Sequence, residues 1–181
     1  EGEGILLYAG TGSVAFAIDD RSNSHQIGGW GYLLGDEGGG YWIGREAIRH
    51  AMSDIETKAE FISGSLTSQI LSVIGGKDWS SVKSFVYSQE RSAIASLSKL
   101  VDTSANEGDL DAKKIIQKGA EHLAHLVQRM DNSLISTLLP VQFTGGISRS
   151  SMVNQELHKI LPQRISISTI DIAHRAAHLA R

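Results

Sequence analysis

The sequence predicts an α/β domain: three antiparallel strands first, then alternating helices and strands, with a helical insertion between strands three and four. Three observations carry this. Short apolar runs separated by tight polar turns open the chain, a long middle stretch repeats at helical spacing, and strand-like and helix-like segments alternate at the end.

The first strand is Ile5 to Ala9, closed by the turn Gly10-Thr11-Gly12-Ser13. Val14 to Ile18 forms the second, bounded by Asp19-Asp20-Arg21-Ser22-Asn23, and His25 to Gly28 the third. After Asp36-Glu37-Gly38 the period changes, and Trp42, Ile43, Ala47, Ile48, Ala51 and Ile55 mark a helix. Phe61, Ile62, Leu66, Ile70 and Ile74 predict the next, ending at Gly75-Gly76; Val82 to Val86 and Ala93 to Val101 predict two more. Asp109 is the expected N-cap of a long helix whose apolar face runs from Ala112 to Leu134 and serves as core. A strand from Leu138 to Phe143, a helix from Met152 to Leu161, a strand from Ile165 to Ile170 and a helix from Asp171 onward complete the order.

Composition narrows the class. The chain of 181 residues is 41% hydrophobic and 20% charged, fitting one domain with a sizeable core, and its net charge of −3 gives no electrostatic reason to expect nucleic acid or an acidic membrane as partner. It has no cysteine, so disulfides, thiolate metal sites and a cysteine nucleophile are excluded within it. With no apolar run of membrane-spanning length and no signal-peptide pattern at Glu1 to Gly4, the expectation is a cytoplasmic protein or fragment.

Glycine is distributed unevenly: 12 of the 19 fall in the first 44 residues. Seven lie in the thirteen residues from Gly28 to Gly40, beside Trp30, Tyr32, Tyr41, Trp42, Asp36 and Glu37. Flat aromatic faces next to carboxylate acceptors suit a sugar, whose ring C–H groups stack and whose hydroxyls donate. A structural alternative makes Asp36 a helix cap and the tryptophans core. The turn Gly10-Thr11-Gly12-Ser13 offers backbone N–H groups and two hydroxyls, either as a phosphate nest or as an ordinary hairpin turn. It is neither a P-loop, since no Lys follows, nor a dinucleotide fingerprint, since a strand comes next. Thr144-Gly145-Gly146-Ile147-Ser148 ends a strand, where α/β sheets bind ligands, though a plain strand-to-helix turn reads the same. His122 with His125, and His174 with His178, read as solvated helix faces because no carboxylate joins either pair at metal-ligand spacing. The GxSxG nucleophile elbow does not occur.

In order, "YAGTGS", "GGWGYLLGDEGGGYWIGREA" and "FTGGISRS" resemble the C-terminal half of the N-acetylglucosamine kinase family, within the sugar kinase, heat-shock chaperone and actin superfamily that also contains the dehydratase-activator ATPases. The resemblance implies a ribonuclease-H-like lobe of the actin-like ATPase fold spanning residues 1–181, with the helical insertion at about 57–108. It implies ATP and Mg²⁺ as cofactors and an amino sugar as substrate. It places Gly10, Thr11, Gly12, Ser13, Ala95, Gly145, Gly146 and Ser150 at ATP, and Ser13, Val14, Gly29, Trp30, Gly31, Tyr32 and Asp36 at the sugar. Asp36 would accept from a sugar hydroxyl. The family's first phosphate loop and its catalytic Asp precede the "GTGS" turn, so the resemblance puts the base on an N-terminal lobe outside this chain, makes that lobe a partner, and makes the isolated lobe inactive. A homodimer is left open. Two positions depart from the pattern: Val14 replaces an Asn that helps bind the acetamido group in some members, and Arg175 stands near a usual glycine of the final helix. The alternatives are a dehydratase-activator ATPase, whose iron–sulfur cluster needs thiolates this chain lacks, and a non-catalytic sugar- or nucleotide-sensing module.

Overall fold

The computed structural model describes residues 4–19, 21–57, 60, 62–134 and 138–168. Three strands, β1 (Ile5–Ala9), β2 (Ser13–Ile18) and β3 (Ser24–Gly28), lead into helix α1 (Gly40–Thr57). Helices α2 (Leu66–Ile74), α3 (Trp79–Ser88), α4 (Arg91–Asn106) and α5 (Leu110–Leu134) follow, then β4 (Val141–Thr144), α6 (Ser151–Ile160) and β5 (Ile165–Ile167). The five strands form one sheet in the order β3-β2-β1-β4-β5. β1 pairs antiparallel with β2, and β2 with β3; β4 is parallel to both β1 and β5. This is the order and the mixture of directions expected for a ribonuclease-H-like lobe.

Alternation along the strands selects the buried face. Ile5, Leu7 and Ala9 of β1, Ala15 and Ala17 of β2, and Val141 and Phe143 of β4 are all buried, while Tyr8, Phe16 and Ile18 turn to the other side and are exposed. Helix α5 lies against β1, β2 and β3 through a stripe that includes Ala112, Ile116, Leu123, Val127 and Met130. Its start is fixed as expected: the Asp109 carboxylate accepts from the N–H groups of Asp111 and Ala112, both at 2.9 Å, and from Leu66 N–H at 2.8 Å. Burial pushes the Asp109 carboxyl up, but these backbone donors and nearby His50 pull it below its ordinary value. Near the end of α5, Arg164 forks onto Asp131 at 2.8 and 2.9 Å and also donates to Leu139 O, which holds the start of β5 to α5.

Several boundaries differ from the sequence expectation, each for a local reason. Helix α2 begins at Leu66 because Ser65 caps it, accepting from Ser68 N–H, and Gly64 ahead of it has a positive φ of 83°. Ile62 is therefore exposed in a turn, and Phe61 lies outside the described residues. β4 begins at Val141 because Pro140 has no N–H to place in the ladder; its carbonyl instead accepts from Ile5 N–H at 2.8 Å. One turn of 3-10 helix at Ile147–Arg149, absent from the sequence reading, separates β4 from α6. The expected helix from Asp171, with His174, Arg175 and His178, lies outside the described residues, as does the end of the expected strand to Ile170.

Candidate functional site

The turn after β1 and the start of α1 form one unit. Helix N-termini leave backbone donors unsatisfied, and here the turn's carbonyls take them: Gly40 N–H donates to Gly10 O at 2.8 Å and Tyr41 N–H to Thr11 O at 3.0 Å. Its carbonyls face the helix, and other donors of the turn stay unused. Among the described residues no hydrogen bond engages the Thr11 N–H, the Gly12 N–H or the Thr11 hydroxyl, and Thr11 is exposed. Two N–H groups and a hydroxyl without partners within two residues are donors of the kind that suits phosphate oxygens. Ser13 behaves differently: it is buried as the first residue of β2, and its hydroxyl donates to Glu37 O at 2.7 Å.

The glycine-rich loop wraps back onto that turn. Gly28, Gly29 and Gly31 have positive φ of 80°, 71° and 86°, a region in which a side chain would be strained. Leu34 N–H and Gly35 N–H both donate to Gly31 O, at 3.1 and 2.9 Å, closing a tight loop whose members Leu33 and Leu34 project into solvent. Asp36 follows at φ 64°, unusual for a residue with a side chain. Its carboxylate accepts from Gly31 N–H at 3.3 Å, so it caps the loop rather than the helix. The same carboxylate lies against Gly12, where a Cβ would come within 2.6 Å of Asp36 Cγ. A Cβ on Gly39 would likewise lie 2.7 Å from Gly12 C. The acceptor carboxylate and the donor turn are thus in direct contact, and glycine at position 12 permits it.

The aromatic residues divide as the alternatives allowed. Trp42 is core, edge-on to His122 at 5.0 Å, so His122 packs against a ring instead of lying on a solvated face; His125 is exposed. Trp30 is 73% exposed and offers a flat face at the loop's rim. Tyr32 meets Tyr41 edge-on at 5.0 Å, and the Arg91 guanidinium carbon stands 4.9 Å from the centre of the Tyr32 ring. Val14 packs beneath the loop, its side chain 3.1 Å from where a Gly29 Cβ would be.

The third loop adjoins the first because β4 runs parallel beside β1, with Tyr8 opposite Thr144. Gly145 has φ 102°, and a Cβ there would meet Ala9 C at 2.7 Å; a Cβ on Gly146 would meet nothing within 4 Å. The Ser150 hydroxyl donates to Asp102 of α4 and accepts from Val153 N–H at 3.0 Å, tying the loop to α4 and capping α6. Ala95 sits on the same helix, its carbonyl beside Gly40 and accepting from the Ser98 hydroxyl at 2.7 Å. All three loops therefore gather at the carboxyl ends of β1 and β4, flanked by the first turns of α4, which is where open α/β sheets bind ligands. Arg91 escaped the sequence reading because one arginine at a helix start carries no periodic signal.

The depressed carboxylates lie elsewhere: hydrogen bonds from Asn23 and His25 hold Asp19 well below its usual range at the β2–β3 turn, and Ser81 does the same for Asp78 at the start of α3. Among the described residues no group of three or more His, Asp or Glu is placed to hold a metal ion, and no helix is long and apolar enough to cross a membrane.

With this geometry in hand, the match to known proteins is direct. The sequence profile of the BadF/BadG/BcrA/BcrD ATPase family covers residues 1–179. The chain belongs to that family. It is 33% identical over 123 residues to the N-acetylmuramic acid/N-acetylglucosamine kinase of Clostridium acetobutylicum, covering 67% of this chain and 40% of that protein. It is 31% identical over 170 residues to the N-acetyl-D-glucosamine kinase of Dictyostelium discoideum, covering 86% of this chain and 50% of that protein. The chain thus spans half or less of the length of these curated relatives. A Chromobacterium violaceum structure assigned as an N-acetylglucosamine kinase superposes over 99% of this chain and 60% of its own, with a TM-score of 0.79 and 27% identity. Its Porphyromonas gingivalis counterpart, at a TM-score of 0.68 and 21% identity, shares the fold.

Proposed function

We propose that residues 1–181 form the C-terminal lobe of an ATP-dependent amino-sugar kinase, which binds ATP and an N-acetylglucosamine- or glucosamine-type sugar in a cleft completed by an N-terminal lobe. The observation that carries the reading is the contact of the Asp36 carboxylate with Gly12. Phosphoryl transfer needs an acceptor hydroxyl held beside the terminal phosphate, and little else from the protein than position and charge stabilisation. A turn with free donors touching a carboxylate acceptor meets that need.

The Thr11 and Gly12 N–H groups and the Thr11 hydroxyl would receive phosphate oxygens, with Gly10 holding the turn to α1. Ser13, through Glu37 O, would keep the turn and the sugar loop in register. Gly145, Gly146 and Ser150 on one side and Ala95 on the other would border the adenosine. Asp36 would accept from a sugar hydroxyl, Trp30 would stack on the ring, and Gly29, Gly31, Tyr32 and Val14 would shape the pocket. Bound Mg²⁺ would neutralise charge on the phosphates, and its carboxylate support, like the base, falls to the other lobe. The relatives' names support the chemistry.

The test is a coupled ADP-release assay on the full-length protein with N-acetylglucosamine, glucosamine and glucose. An amino sugar should stimulate turnover. D36A should cut kcat/KM for the sugar by about 10- to 150-fold through loss of a charged hydrogen bond, with the KM for ATP little changed. Sugar-independent turnover, or an unaltered sugar response in D36A, would refute the assignment.

A further inference from the structure

We propose that the hollow between helix α5 and Glu37 is a second ligand site, built for a phosphorylated sugar. Its volume is about 400 Å³, within the range of about 300 to 1,000 Å³ usual for small-molecule sites. Glu37, His122, His125, Gln128, Arg129 and Asn132 all line it. Among the described residues none of these six side chains makes a hydrogen bond or an ion pair. The neighbouring hollow between α1 and α5 is the contrast: there Glu46 pairs with Arg49, and Asp111 with His50 and Lys114. One hollow satisfies its charges internally, and the other keeps its polar groups unused.

The order of those groups along α5 selects the ligand. A Cβ on Gly38 would lie 2.5 Å from Gly119 O and 2.7 Å from Leu123 Cγ, so Glu37 stands over the turn of α5 that holds His122. Arg129 is seven residues further along, about 10 Å at the helical rise, and Asn132 is about 15 Å along. A carboxylate acceptor therefore marks one end of the hollow, and a guanidinium with an amide marks the other. Bare phosphate would engage only the cationic end, and a neutral sugar only the acceptor. A sugar whose hydroxyls donate to Glu37 and whose phosphate reaches Arg129, with His125 between them, engages both. The hollow shares no lining residue with the positions assigned to ATP and the amino sugar, and its assignment does not rest on the kinase reading.

The test is calorimetric titration of the full-length protein with glucose 6-phosphate, glucose and inorganic phosphate, as wild type, R129A, H125A and D36A. The wild type should bind glucose 6-phosphate, and inorganic phosphate at least about tenfold more weakly. R129A should weaken glucose 6-phosphate by about 10- to 150-fold through loss of charged hydrogen bonds, and H125A by about 2- to 10-fold. Added salt should weaken it as well. His125 and Arg129 are both exposed, so neither change should shift the thermal melt. The Arg129-dependent binding should persist in D36A, because Asp36 faces the phosphate turn and not this hollow. No binding by the wild type, or an R129A affinity equal to the wild type's, would overturn the proposal. So would inorganic phosphate binding as tightly as the sugar phosphate, or a loss in D36A equal to that in R129A.

Discussion

Gly12→Ala isolates the contact between the donor turn and the acceptor carboxylate. The added Cβ would stand 2.6 Å from Asp36 Cγ and 3.3 Å from Asp36 Cβ, against an ordinary contact of about 3.4 to 4 Å. Asp36 is a short side chain, so its carboxylate must rotate away by roughly an ångström, which breaks its 3.3 Å bond from Gly31 N–H. The backbone of Gly12 has no positive φ, so alanine itself fits, and the lower entropy of the unfolded chain offsets part of any strain. A charged hydrogen bond contributes about 1.5 to 3 kcal/mol, so kcat/KM for the sugar should fall about 10- to 150-fold while Tm moves by no more than about 3 °C. Steady-state kinetics on full-length G12A, D36A and the double variant check this. Because both changes act on one carboxylate, the double variant should lose scarcely more than D36A alone. Wild-type sugar kinetics in G12A, or fully additive losses, would refute the coupling.

Two further predictions concern the frame around the cleft. A Cβ on Gly44 would lie 2.9 Å from Ile94 C, in the backbone of α4, which cannot step aside. G44A should therefore push α1 and α4 apart and cost about 1 to 3 kcal/mol, a Tm drop of about 2 to 12 °C in a thermal melt; an unchanged Tm would contradict the packing. D109A removes the cap of α5 and leaves Leu66 N–H, on a buried residue, without its acceptor. It should destabilise by about 1.5 to 3 kcal/mol in urea titration at neutral pH. Because the Asp109 carboxyl is held below its ordinary value, its stabilisation is complete above the unfolded value of about 3.9 and is lost as pH falls through the folded value. The gap between wild type and D109A should narrow in acid, and a constant gap would place the effect elsewhere.

The sequence disclosed the fold where periodicity is local. The apolar runs of β1 and β2, the cap at Asp109 and the stripe along α5 all survive as read. The ends were harder to see, since Ser65 and Pro140 override an apolar pattern that continues through them. The glycine excess marked tight turns, which the positive φ of Gly28, Gly29 and Gly31 bears out, but which glycine faces which partner depends on tertiary placement. Nothing in the spacing puts Asp36 on Gly12, 24 positions earlier, or the Ser13 hydroxyl on Glu37 O. Ser150, read as an adenosine neighbour from its motif, is also the hydroxyl that ties the third loop to Asp102. That bond crosses 48 positions and has no trace in local pattern.

The central claim is that the turn at Gly10–Ser13 and the loop at Gly28–Asp36 hold the two ends of one phosphoryl transfer. Incubating the full-length protein with ATP labelled on its γ-phosphate and N-acetylglucosamine tests it most directly. The account predicts label in a sugar monophosphate, formed in step with ADP and suppressed in D36A. Label appearing as inorganic phosphate at a rate the sugar does not alter would contradict it.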